Sequence, residues 1–258
     1  MESGVDHRSL PVFEAGSVEV PFAIYHFQEK VSRETRWSAH SHPTHELLWN
    51  DRGASQVTVG DKTWTISRNT GVWMPAGMLH SGMAPADSWC NSTHFGFHAV
   101  TSISDTPVAV EVDELLRLLL KRLAAPGLSE KSRRITEAAV VDNLAPATHE
   151  VILQIPHGDL LRPLVQALTK DPGDQRTLAD WAAELNVSSR TVTRAFQTET
   201  GVGFSAWLGM LRLQWAITQL SCGEDTEWIA EKLGYRSLSA FGAAFKRGTG
   251  STPSAFRP

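Results

Sequence analysis

The chain has 258 residues, of which 41% are hydrophobic and 20% charged, with a formal net charge of -4 at pH 7. This composition excludes long disordered or collagen-like segments and a surface coated in positive charge. No apolar run reaches the roughly 18 residues of a membrane helix, and Asp6 and Arg8 interrupt the N-terminal segment where a signal peptide would be apolar. We therefore expect a cytoplasmic protein with no membrane partner.

From Val18 to about His98 the chain is rich in Val, Thr, Trp and Phe. Residues 56–59 and 62–66 alternate in polarity around the turn Gly60-Asp61, which predicts short antiparallel strands. Further turn signals follow at intervals typical of a sandwich or small barrel. We predict that residues 1–107 form an all-β domain.

Three histidines and one glutamate in this region have the chemistry of a metal site. His40 and His42 point to one face of a strand because they are two residues apart. Glu46 has the same parity, and His80 follows a later turn. Three imidazoles and one carboxylate suit a divalent transition metal such as Zn, Fe, Mn, Co or Ni.

The same four residues resemble the two sequence motifs of the cupin family. The matches are His40-x-His42-x3-Glu46-x6-Gly53 and Pro75-x-Gly77-x2-His80. The resemblance implies that His40, His42, Glu46 and His80 are the metal ligands of a cupin-like sensor domain. The second motif is incomplete, because Asn69 replaces its leading glycine and Ala84 its closing asparagine. A polar pocket that binds an organic effector directly is the alternative.

The remaining histidines of the β region have other expected roles. His45 has the opposite strand parity and is not expected to be a ligand. His94 and His98 share a face, and packing or solvent exposure is the expectation for both.

After Pro107 the apolar positions recur every three or four residues, which predicts an amphipathic helix from Val112 to Leu123. Further helices are expected over residues 130–144 and 159–169. The first helix is apolar over more than one stripe, which suits a subunit contact, with packing against the β domain as the alternative. We predict that residues 108–173 form a helical dimerisation and linker region, with an interface made by Leu115, Leu116, Leu119 and Leu123.

Residues 174–258 contain a weak internal repeat of two helical units. Ala182 and Asn186 in the first unit correspond to Ala230 and Gly234 in the second. Helix-turn-helix geometry needs a small residue where two helices cross and a residue that accepts positive φ in the turn. The helix after Ser188 exposes side chains that reach base edges and phosphates in a major groove: Arg190, Thr193, Arg194 and Gln197. A plain helical bundle with solvated arginines is the alternative.

Residues 177–258 resemble the AraC/XylS family of bacterial transcription regulators. The matching stretches are 178–185, 188–196, 199–201 and 212–216 in the first unit, and 229–235, 239–246 and 253–257 in the second. The resemblance implies two helix-turn-helix units joined by a long helix, about residues 203–221, that present two recognition helices to successive major grooves.

The base-reading positions implied by the resemblance differ between the two units. In the first they fall on Arg190, Thr193 and Arg194, and Ser189 and Gln197 complete the predicted DNA-contacting set. In the second they fall on Leu238, Ser239, Gly242 and Ala243. This second set has no arginine, glutamine or asparagine, so we expect contacts with thymine methyl groups or phosphate contacts through Lys246 and Arg247.

These patterns predict an α+β protein of two domains, a β-barrel or sandwich followed by an all-α tandem helix-turn-helix domain over residues 174–258. The predicted function is a homodimeric transcription regulator that binds double-stranded promoter or operator DNA. It would respond to a small molecule or a metal, and contact RNA polymerase if it is an activator. The alternative is a metal-dependent cupin enzyme of dioxygenase or isomerase type. The tandem helix-turn-helix favours a regulator that is not an enzyme.

Overall fold

The computed structural model describes residues 4–257, which divide into two compact units. The first unit comprises residues 4–60 and 64–150, and the second comprises residues 61–63 and 151–257. The predicted middle region, residues 108–173, is therefore not a separate body. Its first two helices belong with the β domain, and its last helix belongs with the helical domain.

The first unit contains β-strands followed by two helices. The strands are β1 (Asp6–Arg8), β2 (Ile24–Lys30), β3 (Thr35–His40), β4 (His45–Arg52), β5 (Ser55–Val59), β6 (Lys62–Ile66), β7 (Thr70–Met74), β8 (His80–Ala84), β9 (Trp89–Phe95) and β10 (Val108–Glu111). The helices are α1 (Glu114–Ala124) and α2 (Glu130–Asp142). This order confirms the predicted sheet-rich N-terminal domain.

The strands form two sheets that bring distant parts of the chain together. Within this unit one sheet has the order β1-β3-β8-β5-β6, and the other has the order β10-β7-β4-β9-β2. The antiparallel pairing of β3 with β8 places His40 opposite His80. The antiparallel pairing of β4 with β9 places Glu46 opposite His94. Each sheet thus contributes one facing pair of ionisable side chains.

The apolar core of the first unit lies between the second sheet and α1. Leu47 and Trp49 on β4 are fully buried there, with Leu116 and Leu120 of α1 in the same cluster. The side chain of Asp113 caps α1 by accepting a hydrogen bond from the amide of Leu116 at 2.7 Å. The Asp113 cap therefore fixes the start of α1, and the core fixes the face that the helix buries.

The predicted dimer interface is wrong at two of its four positions. Leu116 and Leu123 are only 1% and 4% exposed because they pack into the core of their own unit. Leu119 is partly buried against the same cluster. Leu115 is 52% exposed, together with Leu118 at 58%. One stripe of α1 therefore covers the sheet, as the alternative reading expected, and another faces outward.

The second unit is almost entirely helical. Its elements are β11 (Ile152–Gln154), α3 (Arg162–Lys170), α4 (Leu178–Glu184), α5 (Ser189–Thr200), α6 (Phe204–Ser221), α7 (Thr226–Lys232), α8 (Leu238–Thr249) and a 3-10 helix (Pro253–Phe256). Leu164 and Leu168 of α3 pack with Trp181 and Trp207, which explains why α3 belongs to this unit. The pairs α4–α5 and α7–α8 are the two predicted helix-turn-helix units, and α6 is the predicted joining helix.

Local backbone chemistry fixes the angle between the helices of each pair. Asn186 and Gly234 occupy the two turns with φ of 54° and 76°, a region that few residues other than glycine and asparagine adopt readily. Ser188 and Ser237 then cap α5 and α8 by accepting hydrogen bonds from backbone amides. Both recognition helices consequently begin at a defined residue.

Within residues 4–257, no helix has both the length and the apolar character needed to cross a membrane.

We expect the two neighbouring leucines of α1 to differ sharply in their effect on stability. Replacing Leu116 by alanine removes a fully buried side chain and should lower the free energy of unfolding by about 2–5 kcal/mol. Replacing the exposed Leu118 should change it by less than about 0.5 kcal/mol. Urea unfolding followed by near-UV circular dichroism measures both, and equal effects would contradict the assignment of the buried stripe.

Candidate metal centre and DNA interface

Three histidine rings of the β domain lie close together: His40 at the end of β3, His42 just after it and His80 at the start of β8. The ring centroids of His40 and His80 lie 4.3 Å apart, and that of His42 lies 5.0 Å and 5.5 Å from them. One nitrogen atom of each ring lies within 4.8 Å of the others. The structure therefore brings together the three histidines that the sequence singled out.

Backbone carbonyl groups orient two of these rings. The Nδ1 atom of His40 lies 2.7 Å from the carbonyl oxygen of Ser38, and that of His80 lies 2.9 Å from the carbonyl oxygen of Met78. A carbonyl oxygen only accepts hydrogen bonds, so Nδ1 carries the proton in the neutral form of each ring. Each Nε2 atom therefore has a lone pair, as in histidines that bind a metal.

Glu46 places a carboxylate oxygen among the imidazoles. Its Oε2 atom lies 3.6 Å from Nε2 of His42 and 3.5 Å from Nε2 of His80, and no hydrogen-bond partner for it is found among the described residues. These distances are long for hydrogen bonds. They are close to the separation of about 3.0–3.4 Å between two ligands of one ion with bonds of about 2.1 Å. Glu46 thus lies beside two of the three rings, while the group of described residues whose ligand atoms come within 4.8 Å of one another consists of the three histidines.

Two further residues hold the other oxygen of Glu46. Ser92 donates a hydrogen bond to Oε1 at 2.5 Å, and Nε2 of His94 lies 2.9 Å from the Ser92 hydroxyl. Because the only hydroxyl proton of Ser92 points to the carboxylate, His94 donates from Nε2. The Nδ1 atom of His94 contacts the hydroxyl of Thr44 at 3.0 Å. His94 is therefore a second-layer residue that supports Glu46.

The sequence pattern predicted packing or solvent exposure for His94 and did not indicate this role. The signal that identifies it is the register of β9 against β4, which places His94 directly opposite Glu46. His45, in contrast, lies outside the cluster as expected. Its Nδ1 atom accepts a hydrogen bond from the amide of Ala76, and its ring stacks on Trp73.

Burial sets the charge of the cluster. It lowers the pKa of His42 to about 4, so this imidazole is neutral at physiological pH. Burial alone would raise the pKa of Glu46, but His42, His94, His80 and the Ser92 hydrogen bond together hold it below its ordinary value. Burial also lowers the pKa of His40, so the cluster combines an ionised carboxylate with imidazoles whose neutral form burial favours at His40 and His42.

The cluster forms one wall of a cavity of about 210 Å³. Most of the other lining side chains are apolar, among them Leu10, Trp37, Leu48, Ile66 and Met83. The cavity also has two carboxylates, Glu46 and Glu29, and Glu29 is paired with Arg8 at 2.7 Å. Among the described residues that line the cavity there is no lysine or arginine.

The first recognition helix, α5, exposes every residue of its predicted DNA-contacting set. These residues are Ser189, Arg190, Thr193, Arg194 and Gln197. The hydroxyl of Thr193 donates to the carbonyl of Ser189, and the amide of Gln197 donates to the carbonyl of Gly201. The side chains of Thr193 and Gln197 thus bond to the backbone of their own helix region. Arg190 and Arg194 are the long hydrogen-bond donors that extend outward from this face.

The second recognition helix, α8, has a different outer face. Leu238 is 50% exposed, and Ser239 and Ala243 are also exposed. Gly242 is half-buried on the same side. The basic residues Lys246 and Arg247 are exposed in the last turn of α8.

Comparison with known proteins matches both units to described domains. Residues 24–139 match an AraC-like ligand binding domain, and residues 181–258 match a helix-turn-helix domain. The chain is 28% identical over 218 residues to the HTH-type transcriptional regulator NimR of Escherichia coli strain K12, which covers 83% of this chain and 80% of NimR. It is 29% identical over 216 residues to the HTH-type transcriptional regulator RipA of Corynebacterium diphtheriae, which covers 81% of this chain and 59% of RipA.

Among solved structures, ToxT from Vibrio cholerae is similar over 90% of this chain and 96% of its own, with 13% identity and a TM-score of 0.37. The resemblance noted in the sequence is confirmed by the two domain matches and the named relatives. The chain is an AraC-family DNA-binding transcription regulator with an N-terminal ligand-binding domain.

Proposed function

We propose that the N-terminal domain senses its effector through a divalent transition metal bound by His40, His42, Glu46 and His80. The observation that carries this proposal is the buried Oε2 atom of Glu46. It has no hydrogen-bond partner among the described residues, and it faces imidazole nitrogens that have lone pairs. An unsatisfied carboxylate oxygen in such a position is costly unless a cation balances it.

The donor set fits a borderline metal. Neutral imidazoles and a carboxylate suit Zn, Fe, Mn, Co or Ni, and no thiolate is required. His42 is available as a ligand because burial holds its pKa at about 4. The relay from His94 through Ser92 holds Glu46 so that Oε2 faces the rings of His42 and His80. A bound ion would supply open coordination positions for oxygen atoms of an effector.

The cavity indicates the chemical class of that effector. Its lining is mainly apolar, and its charged side chains are carboxylates. An anionic molecule would therefore need the metal to balance its charge. We infer a small molecule with an apolar body and an anionic or chelating oxygen group. A second form of the proposal makes the metal itself the signal, with its occupancy changing DNA affinity by linkage.

We further propose that this site serves sensing and not catalysis. The same chain carries two recognition helices, and the relatives that it matches over most of its length are named transcriptional regulators. An enzyme has no need of two such helices. If the protein activates transcription, RNA polymerase would be its further partner.

In the DNA-binding domain, we propose that α5 makes the main base-specific contacts. Arg190 and Arg194 are exposed on its outer face. A guanidinium group forms two hydrogen bonds with guanine in the major groove, which contributes about 1–3 kcal/mol of discrimination against a wrong base.

We also propose that the protein is a homodimer joined through the outward stripe of α1. Leu115 and Leu118 are more than half exposed on this helix, and Ile135 of α2 is 61% exposed. A second copy that buries this stripe would remove apolar surface from water and double the number of recognition helices on the operator.

The metal proposal predicts that the effect of Glu46→Gln on thermal stability depends on whether metal is bound. In chelator-treated protein the variant should be at least as stable as the wild type, because an amide group can donate to an imidazole lone pair that the carboxylate cannot satisfy. With metal the wild type should gain thermal stability and the variant should gain much less, because a ligand has been lost. Thermal melts and elemental analysis measure these effects.

His98→Ala is the matched control, since His98 is exposed outside the cluster and its loss should leave the metal content unchanged. The proposal is wrong if protein purified without chelator holds no metal and none of Zn, Fe, Mn, Co and Ni raises its melting temperature. A purely organic effector pocket would then be the remaining function of the cavity.

For DNA recognition, Arg194→Ala should weaken binding to the operator by about tenfold or more and affect random DNA much less. Arg134→Ala serves as the control, because Arg134 is an exposed arginine of the N-terminal domain. Binding titrations at one salt concentration provide the comparison. An equal loss on both DNAs would identify Arg194 as a phosphate contact.

For assembly, the double variant Leu115→Glu and Leu118→Glu should be a folded monomer that binds a half-site weakly. Two charges on the outward stripe oppose its burial without entering the core. Val18→Glu, at another exposed aliphatic side chain, should leave the dimer intact. Analytical ultracentrifugation distinguishes the two states, and a wild-type monomer at micromolar concentration would disprove the interface.

A further inference from the structure

The two recognition helices can be compared residue by residue. Each has 12 residues, begins after a capping serine and ends at a glycine with positive φ, Gly201 in α5 and Gly250 in α8. The inward residues also correspond, because Phe196 and Phe245 are both buried. A residue of α5 is therefore equivalent to the residue of α8 numbered 49 higher.

This equivalence shows what α8 offers to a major groove. Arg190 and Arg194 of α5 are replaced in α8 by Ser239 and Ala243, and Thr193 is replaced by Gly242. Ser189, at the start of α5, corresponds to the half-exposed Leu238. The outer face of α8 thus has short side chains at the positions where α5 has long donors, and it adds the apolar Leu238 at its start.

Gly242 is a further feature of this outer face, and its position there distinguishes it from the equally open Gly209 of α6. A glycine inside a helix is destabilising, and it is usually retained where another group comes close. A Cβ atom added at Gly248 would lie against the side chain of Leu213, so packing explains that glycine. A Cβ atom added at Gly242 would meet no described atom within 4 Å, and its φ is not positive. Nothing within the described chain accounts for the absence of a side chain there.

We propose that α8 reads thymine methyl groups through Leu238 and Ala243, and that Gly242 allows the helix to approach the base edges closely. The thymine methyl is the apolar group that base pairs present in the major groove. Lys246 and Arg247, exposed in the last turn, would contact the flanking phosphates. This inference extends the proposed DNA recognition by α5 to the second half of the binding site.

The test starts from an operator selected with the wild-type protein from a random-sequence pool. Each thymine in it is replaced in turn by deoxyuridine, which removes one methyl group. At one or two positions outside the part of the operator that α5 contacts, this change should lower wild-type affinity about fourfold. The variant Leu238→Ala should bind the thymine and uracil forms of those operators equally well.

A coupling between Leu238 and a single methyl group separates this proposal from the one for α5. If Leu238→Ala lowers affinity equally for every form of the operator, or if no thymine methyl contributes outside the α5 segment, the proposal is overturned. The Arg194 result stands or falls separately, because it is measured against random DNA. Lys246→Ala should weaken all forms alike and reduce the salt dependence.

If Gly242 allows a close approach to DNA, replacing it by alanine should change thermal stability and DNA affinity in opposite directions. Gly242→Ala should raise the melting temperature, because alanine favours the helix, and should weaken operator binding severalfold, because the added methyl group lies between helix and DNA. Gly209→Ala is the matched control in α6, where an added Cβ also meets no described atom within 4 Å. It should raise the melting temperature and leave binding unchanged. Unaltered operator affinity in Gly242→Ala would refute the close approach.

Discussion

The alternation of side chains along β4 is the constraint on which the N-terminal domain depends. Successive residues of a strand point to opposite faces, so Glu46 and Leu48 face the cavity while Leu47 faces the core under α1. A shift of one residue would place the carboxylate in the apolar core and Leu47 in the cavity. The pairing with β9 that stabilises the core therefore also fixes the geometry of the ligand site.

Features determined by nearby residues could be predicted from the sequence, and features determined by distant pairing could not. His40 and His42 share a face because of their spacing alone. The role of His94 depends on the register between β4 and β9, which no local pattern encodes. The burial of the leucines of α1 is a second feature that the sequence could predict only in part. Their spacing defines the apolar stripes, but only tertiary packing decides that Leu116 faces the sheet and Leu118 does not.

The helix-turn-helix units were predictable in more detail because their geometry is local. Capping serines and residues with positive φ set the helix starts within each unit. Since the two units share this backbone pattern, their difference lies in the side chains of the outer faces. In the proposed complex, the arginine donors on α5 and the apolar side chains of Leu238 and Ala243 on α8 would recognise different bases. One subunit with two unlike readers would bind a DNA segment with a defined direction, even before a second subunit is considered.

Glu46 and Gly242 are two points at which the chain departs from what local stability favours. A buried polar atom without a partner costs about 1–3 kcal/mol, and a glycine within a helix costs about 0.5–1 kcal/mol relative to alanine. Among the described residues no hydrogen bond satisfies Oε2 of Glu46, and no atom lies within 4 Å of a Cβ added at Gly242. Such departures are expected at functional sites, where the compensating contact comes from outside the chain. A divalent ion would supply it at Glu46 and a DNA groove at Gly242, so the two proposed sites of signal input and DNA output are both places where the isolated chain is incomplete.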